Sequence, residues 1–569
     1  LNARAAVCIT SANVTWTAGV QPLENPFYYL HNFEQALAWL RQRYADVLDS
    51  AERQFVEGFE ALPQTARALL VRLIMRKGEH FRRDKLVYAE IGDPAQAAAP
   101  LLAQGWLSEE VPLRLDDLFA LFGKPELRLG FAEHGLPAAA RKDQWFEALA
   151  HLHDRCEPLQ GWWPACEEAI WALSVRPLCE RLRMLFFGNL RQDWSQFVLV
   201  ELGIQRFEQV DFPLSSRAIR HREDLHTAMG LAACGQALEE GAPPQALLPT
   251  LQGLGSDNPW LAGRQQKLLF RLGQQCERAG DWAMALELYA QCAWPGARLR
   301  RLRVLERSEQ FGQALALAEQ AMKAPESPAE VQGLERMLPR LRRALGEAVK
   351  VRRAPSAVQR IDLCLPRHTS VERAVAQALQ AGEAPVVYVE NTLFNGLFGL
   401  LCWPALFAPV PGAFFHPFQS GPLDLHQPDF SHRRGALIAA CLDQLETGAY
   451  RATILTRFTT KLGLANPFVQ WGAITEPLLE LALACIPAAH LRACFERLLQ
   501  DPKANRTGMP DLIQFYPGRA SYQMIEVKGP GDRLQDNQLR WIAFCHTHGM
   551  PVKVCHVRWD TCAEVAQLA

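Results

Sequence analysis

The apolar positions divide the chain into a long stretch of helical periodicity and a shorter one that mixes strand and helix. Between Asn32 and Leu48 they recur at Phe33, Ala36, Leu37, Leu40 and Tyr44, mostly three and four apart, as one helix face requires. From Thr65 to Tyr88 the same spacing (Ala68, Leu69, Leu70, Leu73, Ile74, Phe81, Leu86) predicts a second, longer helix. Over Leu127 to Leu149 two short helices flank a turn at Gly135-Leu136-Pro137. From Pro158 to Gly346 the chain reads as helical again. Within it, Gly280-Asp281-Trp282 followed by Ala285, Leu286 and Tyr289 echoes Glu309-Gln310-Phe311 followed by Ala314, Leu315 and Ala318, the mark of stacked helix pairs. Ala354-Pro355-Ser356 reads as a linker. Beyond it strand-like runs appear at Gln523 to Val527 (QMIEV) and Val552 to Val557 (VKVCHV), among helical stretches such as Ile474 to Ala484 and Leu491 to Leu499. This alternation predicts a separate α/β domain of about 200 residues.

Composition narrows the class. At 569 residues the chain has room for several domains, and 49% hydrophobic against 21% charged residues is a globular mix. No run of about 18 apolar residues predicts a membrane span, and Leu1 to Trp16 has no secretory-signal pattern. The 15 cysteines contain no CxxC pair, which argues against a zinc or iron–sulfur framework and for reduced thiols. His416, His426 and His432 lie 10 and 6 apart and match no strong zinc pattern. No GxxxxGK[ST] supports ATP-driven chemistry. With 60 Lys plus Arg against 61 Asp plus Glu, any nucleic-acid contact must be local. Local basic runs exist: Arg72, Arg76, Lys77, Arg82, Arg83 and Lys85; then Arg298, Arg300, Arg301 and Arg303; then Arg340, Arg342, Arg343, Arg352 and Arg353. Each is either a solvated helix face or a phosphate-contacting edge.

The chemistry gathers between Gly508 and Trp541. Asp511 follows Pro510 and opens a short strand, Leu-Ile-Gln-Phe; fourteen residues separate it from Glu526, with Pro517-Gly518 able to turn a hairpin between them. Such a hairpin sets Asp511 beside Glu526. In Ile525-Glu526-Val527-Lys528, strand alternation points Glu526 and Lys528 to one face and Val527 to the other. Two carboxylates offer hard oxygen ligands for Mg²⁺ or Mn²⁺, one ion or two. An adjacent lysine can orient a water or offset charge developing on a phosphate.

This PD-x14-ExK pattern matches the PD-(D/E)xK nuclease superfamily. The continuation VKGPGDRLQDNQLRW (527–541) closely resembles the VRR-NUC domain of the Fanconi-associated nuclease family. Upstream, Val389 to Gly399 (VENTLFNGLFG), Phe418 to Leu425 and Gln470-Trp471 resemble that family's nuclease domain, Leu127 to Leu149 resembles a SAP motif, and the helix pairs resemble tetratricopeptide repeats. The resemblance implies Glu390, Asp511 and Glu526 as metal ligands, with the Val527 carbonyl, and Lys528 as the catalytic lysine. It implies Gln538 as a support from the following helix, and a basic pocket for a terminal 5′-phosphate, for which Arg217, Arg220, His221 and Arg222 form one local candidate. Arg506 and Arg533 are candidate phosphate contacts, as are Arg141 and Lys142 in the SAP-like unit and Arg76 and Lys77 before it.

The expected architecture is multidomain: mostly α in the N-terminal two-thirds, with helical, SAP-like and TPR-like parts, then an α/β PD-(D/E)xK domain. The expected parts are residues 1–105 (helical, DNA-binding), 106–157 (SAP-like), 158–370 (repeats) and 371–569 (VRR-NUC). The implied activity is metal-dependent phosphodiester hydrolysis at 5′ flaps and branched DNA, with 5′-to-3′ exonuclease action, in interstrand crosslink repair. Two alternatives stay open, a non-catalytic helical-repeat scaffold and a junction resolvase-type nuclease. No cysteine- or histidine-rich finger of the vertebrate members is visible, so the expectation is a bacterial member acting in the cytoplasm near the nucleoid, or in the nucleus if eukaryotic. It would act as a monomer or a DNA-induced dimer, with the repeats open to protein partners.

Overall fold

The computed structural model describes residues 25–194, 205–348 and 359–560, so the expected linker at Ala354-Pro355-Ser356 lies outside the described residues. The chain forms two compact units, one of residues up to Gln205 with Ile219–Met229, the other of Arg206–Ala218 with the chain from Gly230 onward. No single helix among the described residues is long and apolar enough to cross a membrane.

The first unit starts with helices Tyr28–Tyr44, Ser50–Ala61 and Gln64–Met75. Asp49 caps the second: its carboxylate accepts from Glu52 N–H at 2.8 Å while the Glu52 carboxylate accepts from Asp49 N–H at 3.1 Å, satisfying two helix-end donors at once. The helix predicted to run to Tyr88 stops at Met75. Gly78 takes the left-handed region (φ 88°), and the chain then forms strand β1 (His80–Arg82). With β2 (Leu107–Ser108) and β3 (Ile170–Leu173) it builds a small antiparallel sheet, ordered β1-β3-β2. Purely helical periodicity did not predict this sheet, whose strands are too short to show alternation. In the SAP-like stretch the two short helices are present, Lys124–Gly130 and Lys142–Ala150, with Gly135 at φ 58° between them. Leu127, Phe131, Trp145, Leu149, Trp162 and Trp163 form their shared core.

In the second unit, helices Pro259–Ala279, Trp282–Gln291, Ala297–Arg307, Phe311–Lys323 and Pro328–Ala344 each pack on the next. The internal echo seen in sequence reaches the backbone. Gly280 (φ 77°) and Glu309 (φ 58°) both end a helix in the left-handed region. Asp281 N–H and Gln310 N–H then bond back to Cys276 O and Leu305 O at 3.0 and 2.9 Å. Of the basic runs here that could be solvated faces or phosphate-contacting edges, four members pair between these helices, Arg298 with Glu330, Arg300 with Glu277, Arg340 with Glu306 and Arg342 with Glu319; Arg352 and Arg353 lie outside the described residues.

The α/β part is one five-stranded sheet in the order β4 (Gln359–Leu365), β8 (Val552–Trp559), β7 (Ser521–Lys528), β6 (Leu512–Tyr516), β5 (Val386–Tyr388). Strands β5, β6 and β7 pair antiparallel; β7, β8 and β4 run parallel. The runs at 523–527 and 552–557 lie in β7 and β8, and the hairpin turns at Pro517–Arg519, as the sequence predicts. One sheet face (Leu512, Ile525, Val527, Cys555, Val557) packs on helix Val371–Leu379 through Val375. The other (Ile513, Phe515, Met524, Val552, Val554) joins a large core with Leu397, Phe398, Leu491, Trp541 and Ile542. Glu526 alternates onto this second face.

Candidate active site

The β6–β7 register, Leu512 opposite Ile525, carries on by one residue to set Asp511 opposite Glu526. The pairing is close: Asp511 Oδ2 accepts from Val527 N–H at 2.7 Å. Lys528 returns to the Glu526 face, its Nζ 2.8 Å from Glu526 Oε1, a close ion pair without the alignment of a hydrogen bond. All three side chains are buried, with exposures of 8% for Asp511, 0% for Glu526 and 7% for Lys528. Glu390 arrives from β5, whose ladder continues as Val389 N–H donates to Asp511 O at 2.9 Å. It sits in the turn before helix Leu393–Leu401, held by the Tyr388 hydroxyl and by Asn391 Nδ2 at 3.0 Å.

Tyr388 and Asn391 are site residues that sequence reading missed. Asn391 has φ 52°, a conformation asparagine tolerates better than most residues. Its Oδ1 accepts from Met509 N–H at 3.2 Å, tying the Glu390 turn to the strand that carries Asp511. The polar pair Glu390-Asn391 in an otherwise apolar run was the available signal.

The electrostatics are those of carboxylates crowded around a single lysine. Burial, with the Glu390 charge adding, raises Asp511 to about 6 despite the Val527 N–H bond. Burial and the Asp511 charge raise Glu526 to about 7 despite Lys528. Beyond the Lys528 ion pair, neither Glu526 oxygen has a hydrogen-bond donor among the described residues. Buried oxygens without donors and hard carboxylate ligands fit a divalent cation. The described residues hold no group of three Asp, Glu, His or Cys already drawn close enough to grip one, and Glu390 is engaged by Tyr388 and Asn391.

Comparison with known proteins decides the lineage. The Fanconi-associated nuclease 1 homolog of Pseudomonas aeruginosa is 52% identical over 540 residues, 94% of this chain and 97% of that protein. This chain belongs to the Fanconi-associated nuclease family. Models for "FAN1, HTH domain", "Fanconi anemia-associated nuclease SAP domain" and "VRR-NUC domain" match residues 27–108, 112–162 and 445–559. Human Fanconi-associated nuclease 1 is 24% identical over 93% of this chain and 62% of its own length. The crystal structure of paFAN1 bound to 2nt 5′flap DNA with gap matches with a TM-score of 0.88 at 52% identity, covering 95% of this chain and 100% of that one. Asp511, Glu526 and Lys528 lie within the VRR-NUC match and Glu390 before it.

The remaining candidate residues of this family member fall into two groups. Several are engaged within the fold. Arg506 donates to Pro467 O and lies 4.9 Å over the Phe468 ring, with its pKa lowered by burial. In this position the side chain is half-buried and packed. Lys142 donates to Phe122 O at 2.8 Å, and Arg141 pairs with Asp143 at 3.0 Å. Arg222, from the expected phosphate pocket, is bound to Asp49 and Glu52. Gln538 uses its Oε1 to accept from Gln535 N–H at 2.9 Å, closing the start of helix Asp536–Thr547. By contrast Arg533, Arg76 and Lys77 are exposed, and Arg76 lies 5.5 Å over the Tyr88 ring.

Proposed function

We propose that this family member is a structure-specific DNA nuclease. It incises near 5′ flaps and branches, degrades 5′ to 3′, and serves interstrand crosslink and branched-DNA repair in a bacterial cell. The observation that carries the chemistry is the buried Asp511–Glu526 pair facing across β6 and β7, with Lys528 on the same face. Support for the substrate comes from paFAN1, which was crystallised on 5′ flap DNA with a gap. The expected division into residues 1–105, 106–157, 158–370 and 371–569 gives the reading its parts: helical and SAP-like units that hold duplex, repeats that form the frame, and a domain that cuts.

Asp511, Glu526, the Val527 carbonyl and Glu390 would hold Mg²⁺ or Mn²⁺. When bound, such an ion polarises the phosphodiester and lowers the pKa of water. Asp511 and Glu526 would ligate as carboxylates, a form that burial makes less favourable below about pH 6 and 7. Glu390, held by the Tyr388 hydroxyl and Asn391, would supply a third carboxylate. The Lys528 ammonium would orient the attacking water and offset charge on the phosphate.

The test is incision of an end-labelled 5′-flap duplex in Mg²⁺ or Mn²⁺, with Asp511→Ala beside the wild type. The expected outcome is cutting near the flap base by the wild type, lost in Asp511→Ala with flap binding retained. No cutting of flap, nicked and splayed-arm substrates by the wild type with either ion would refute the proposal.

A further inference from the structure

A cleft of about 430 Å³ lies next to the catalytic strand, lined among others by Arg360, Asp362, Gly529, Asp532, His556 and Arg558. Its position follows from the sheet. The turn Gly529–Asp532 leaves the carboxyl end of β7, and the cleft lies between that turn and side chains carried along β8 and β4. The registers pair Lys528 with His556, and His556 with Asp362. Aligned partners in a parallel sheet share a face, so Lys528, His556 and Asp362 form one row, with Arg360 and Arg558 two residues to either side. Adjacent strands lie about 4.8 Å apart, which sets the cleft roughly 5–10 Å from the catalytic lysine. At about 3.4 Å of rise per nucleotide, that is one to three nucleotides along a strand.

Hydrogen bonding says what fits. Asp362 is spent on Arg360, which donates to it from Nε at 3.0 Å and from Nη2 at 2.6 Å. Asp532 Oδ2 accepts from Gly529 N–H at 3.0 Å and shapes the turn. Arg558 and His556 make no hydrogen bond or ion pair among the described residues, and Arg558 is exposed. The cleft's formal charges balance, and Arg558 and His556 are its side chains left without a hydrogen-bond partner, both able to donate to an oxyanion.

We propose that this cleft binds a backbone phosphate of the DNA strand passing through the active site, with Arg558 and His556 as contacts and Arg360 as a third donor. The assignment rests on the nuclease reading above. It makes the β8–β4 edge part of the track that sets the strand's register before cutting, a role nothing in the VRR-NUC motif itself specifies.

The test measures flap-duplex binding in Ca²⁺ across a salt series, for the full-length wild type, Arg558→Ala, Arg558→Lys and His556→Ala. One lost phosphate contact lowers the log K against log salt slope by about 0.7–0.9, or five- to eightfold in affinity at 0.1 M salt. We expect that loss in Arg558→Ala, a smaller slope change in His556→Ala, recovery in Arg558→Lys, and unchanged melting of the variants. A single methylphosphonate one to three nucleotides from the cut should weaken the wild type but not Arg558→Ala. An unchanged slope in Arg558→Ala, or an equal methylphosphonate penalty in both proteins, overturns the proposal. Because the readout is binding, failure of the wild type to cut would count against the nuclease reading and leave this result interpretable.

Discussion

Asp511→Asn in the metal-free protein isolates what the site does to its own fold. The carboxyl titrates at 3.8 ordinarily and at about 6 when folded, because burial and the Glu390 charge outweigh the Val527 N–H bond. Below 3.8 both folded and unfolded states hold the proton and the side chain costs nothing. Between 3.8 and 6 the folded state holds it while the unfolded chain has lost it, so stability falls as pH rises. Above 6 the full cost stands, roughly 3 kcal/mol. At 8% exposure the group is too buried for solvent to screen much of this. Asparagine carries no charge and keeps an oxygen for Val527 N–H, and its amide can donate to the Glu526 oxygens. The variant should therefore outlast the wild type by about 3 kcal/mol at pH 8, narrowing to about 1 kcal/mol at pH 4.5. In a domain of this size that is several degrees at pH 8. The assay is thermal melting of the transition that carries the C-terminal sheet, in EDTA, at both pH values. Added Mg²⁺ should raise the wild type and leave the variant nearly unmoved. A variant that melts at or below the wild type at pH 8, or a gain independent of pH, would refute the argument.

Three further outcomes follow from other parts of the molecule. Lys528→Ala should cut flap DNA about 10²–10³-fold more slowly in single-turnover assays while binding it normally, since it removes charge stabilisation at the reacting phosphate. Glu52 is fully buried and takes Arg181 and Arg222 at 2.5 Å each; Glu52→Ala removes that partner from Arg181 and leaves Arg222 on Asp49 alone, and should cost about 1.5–3 kcal/mol in chemical denaturation. A Cβ at Gly130 would fall 1.8 Å from Trp163 Cε2, so Gly130→Ala should destabilise the SAP-like unit by about 1–3 kcal/mol, read from loss of its near-UV aromatic dichroism on mild heating.

What the sequence disclosed tracks how local each cause is. The β6–β7 hairpin was legible because strand, turn and strand follow one another within a few tens of residues and alternation fixes which side chains face together. The echo of Gly280-Asp281-Trp282 in Glu309-Gln310-Phe311 was legible for the same reason, whereas the left-handed backbone shared by Gly280 and Glu309 was seen only in the structure. By contrast β5 joins β6 from 126 residues earlier along the chain, Val387 pairing with Ile513. No local pattern encodes that, so Glu390 came from resemblance and its holders Tyr388 and Asn391 did not come at all. Phe81 and Leu86 fitted a helical spacing, yet their burial serves a sheet and a loop. Arginine runs advertised charge but not partners: Arg82, counted with a basic edge, is gripped by Glu126 and Glu168, and Arg298 by Glu330.

That last contrast explains where the function sits. With a net charge of −1, the chain has about as many acids as bases, and among the described residues most buried acids meet a base. Asp424 receives Arg433 and Arg434, Glu277 receives Arg300, and Glu330 receives Arg298. The β6–β7 site departs from this. One lysine serves Glu526, one N–H serves Asp511, and Glu390 brings a further negative charge whose own donors are neutral. Burying carboxylates without enough donors raises their proton affinity and strains the fold. A cation supplied from solution relieves both at once, and the relief is largest where the charges were crowded. The same crowding that weakens the metal-free fold is therefore what would give the site its affinity for a divalent ion.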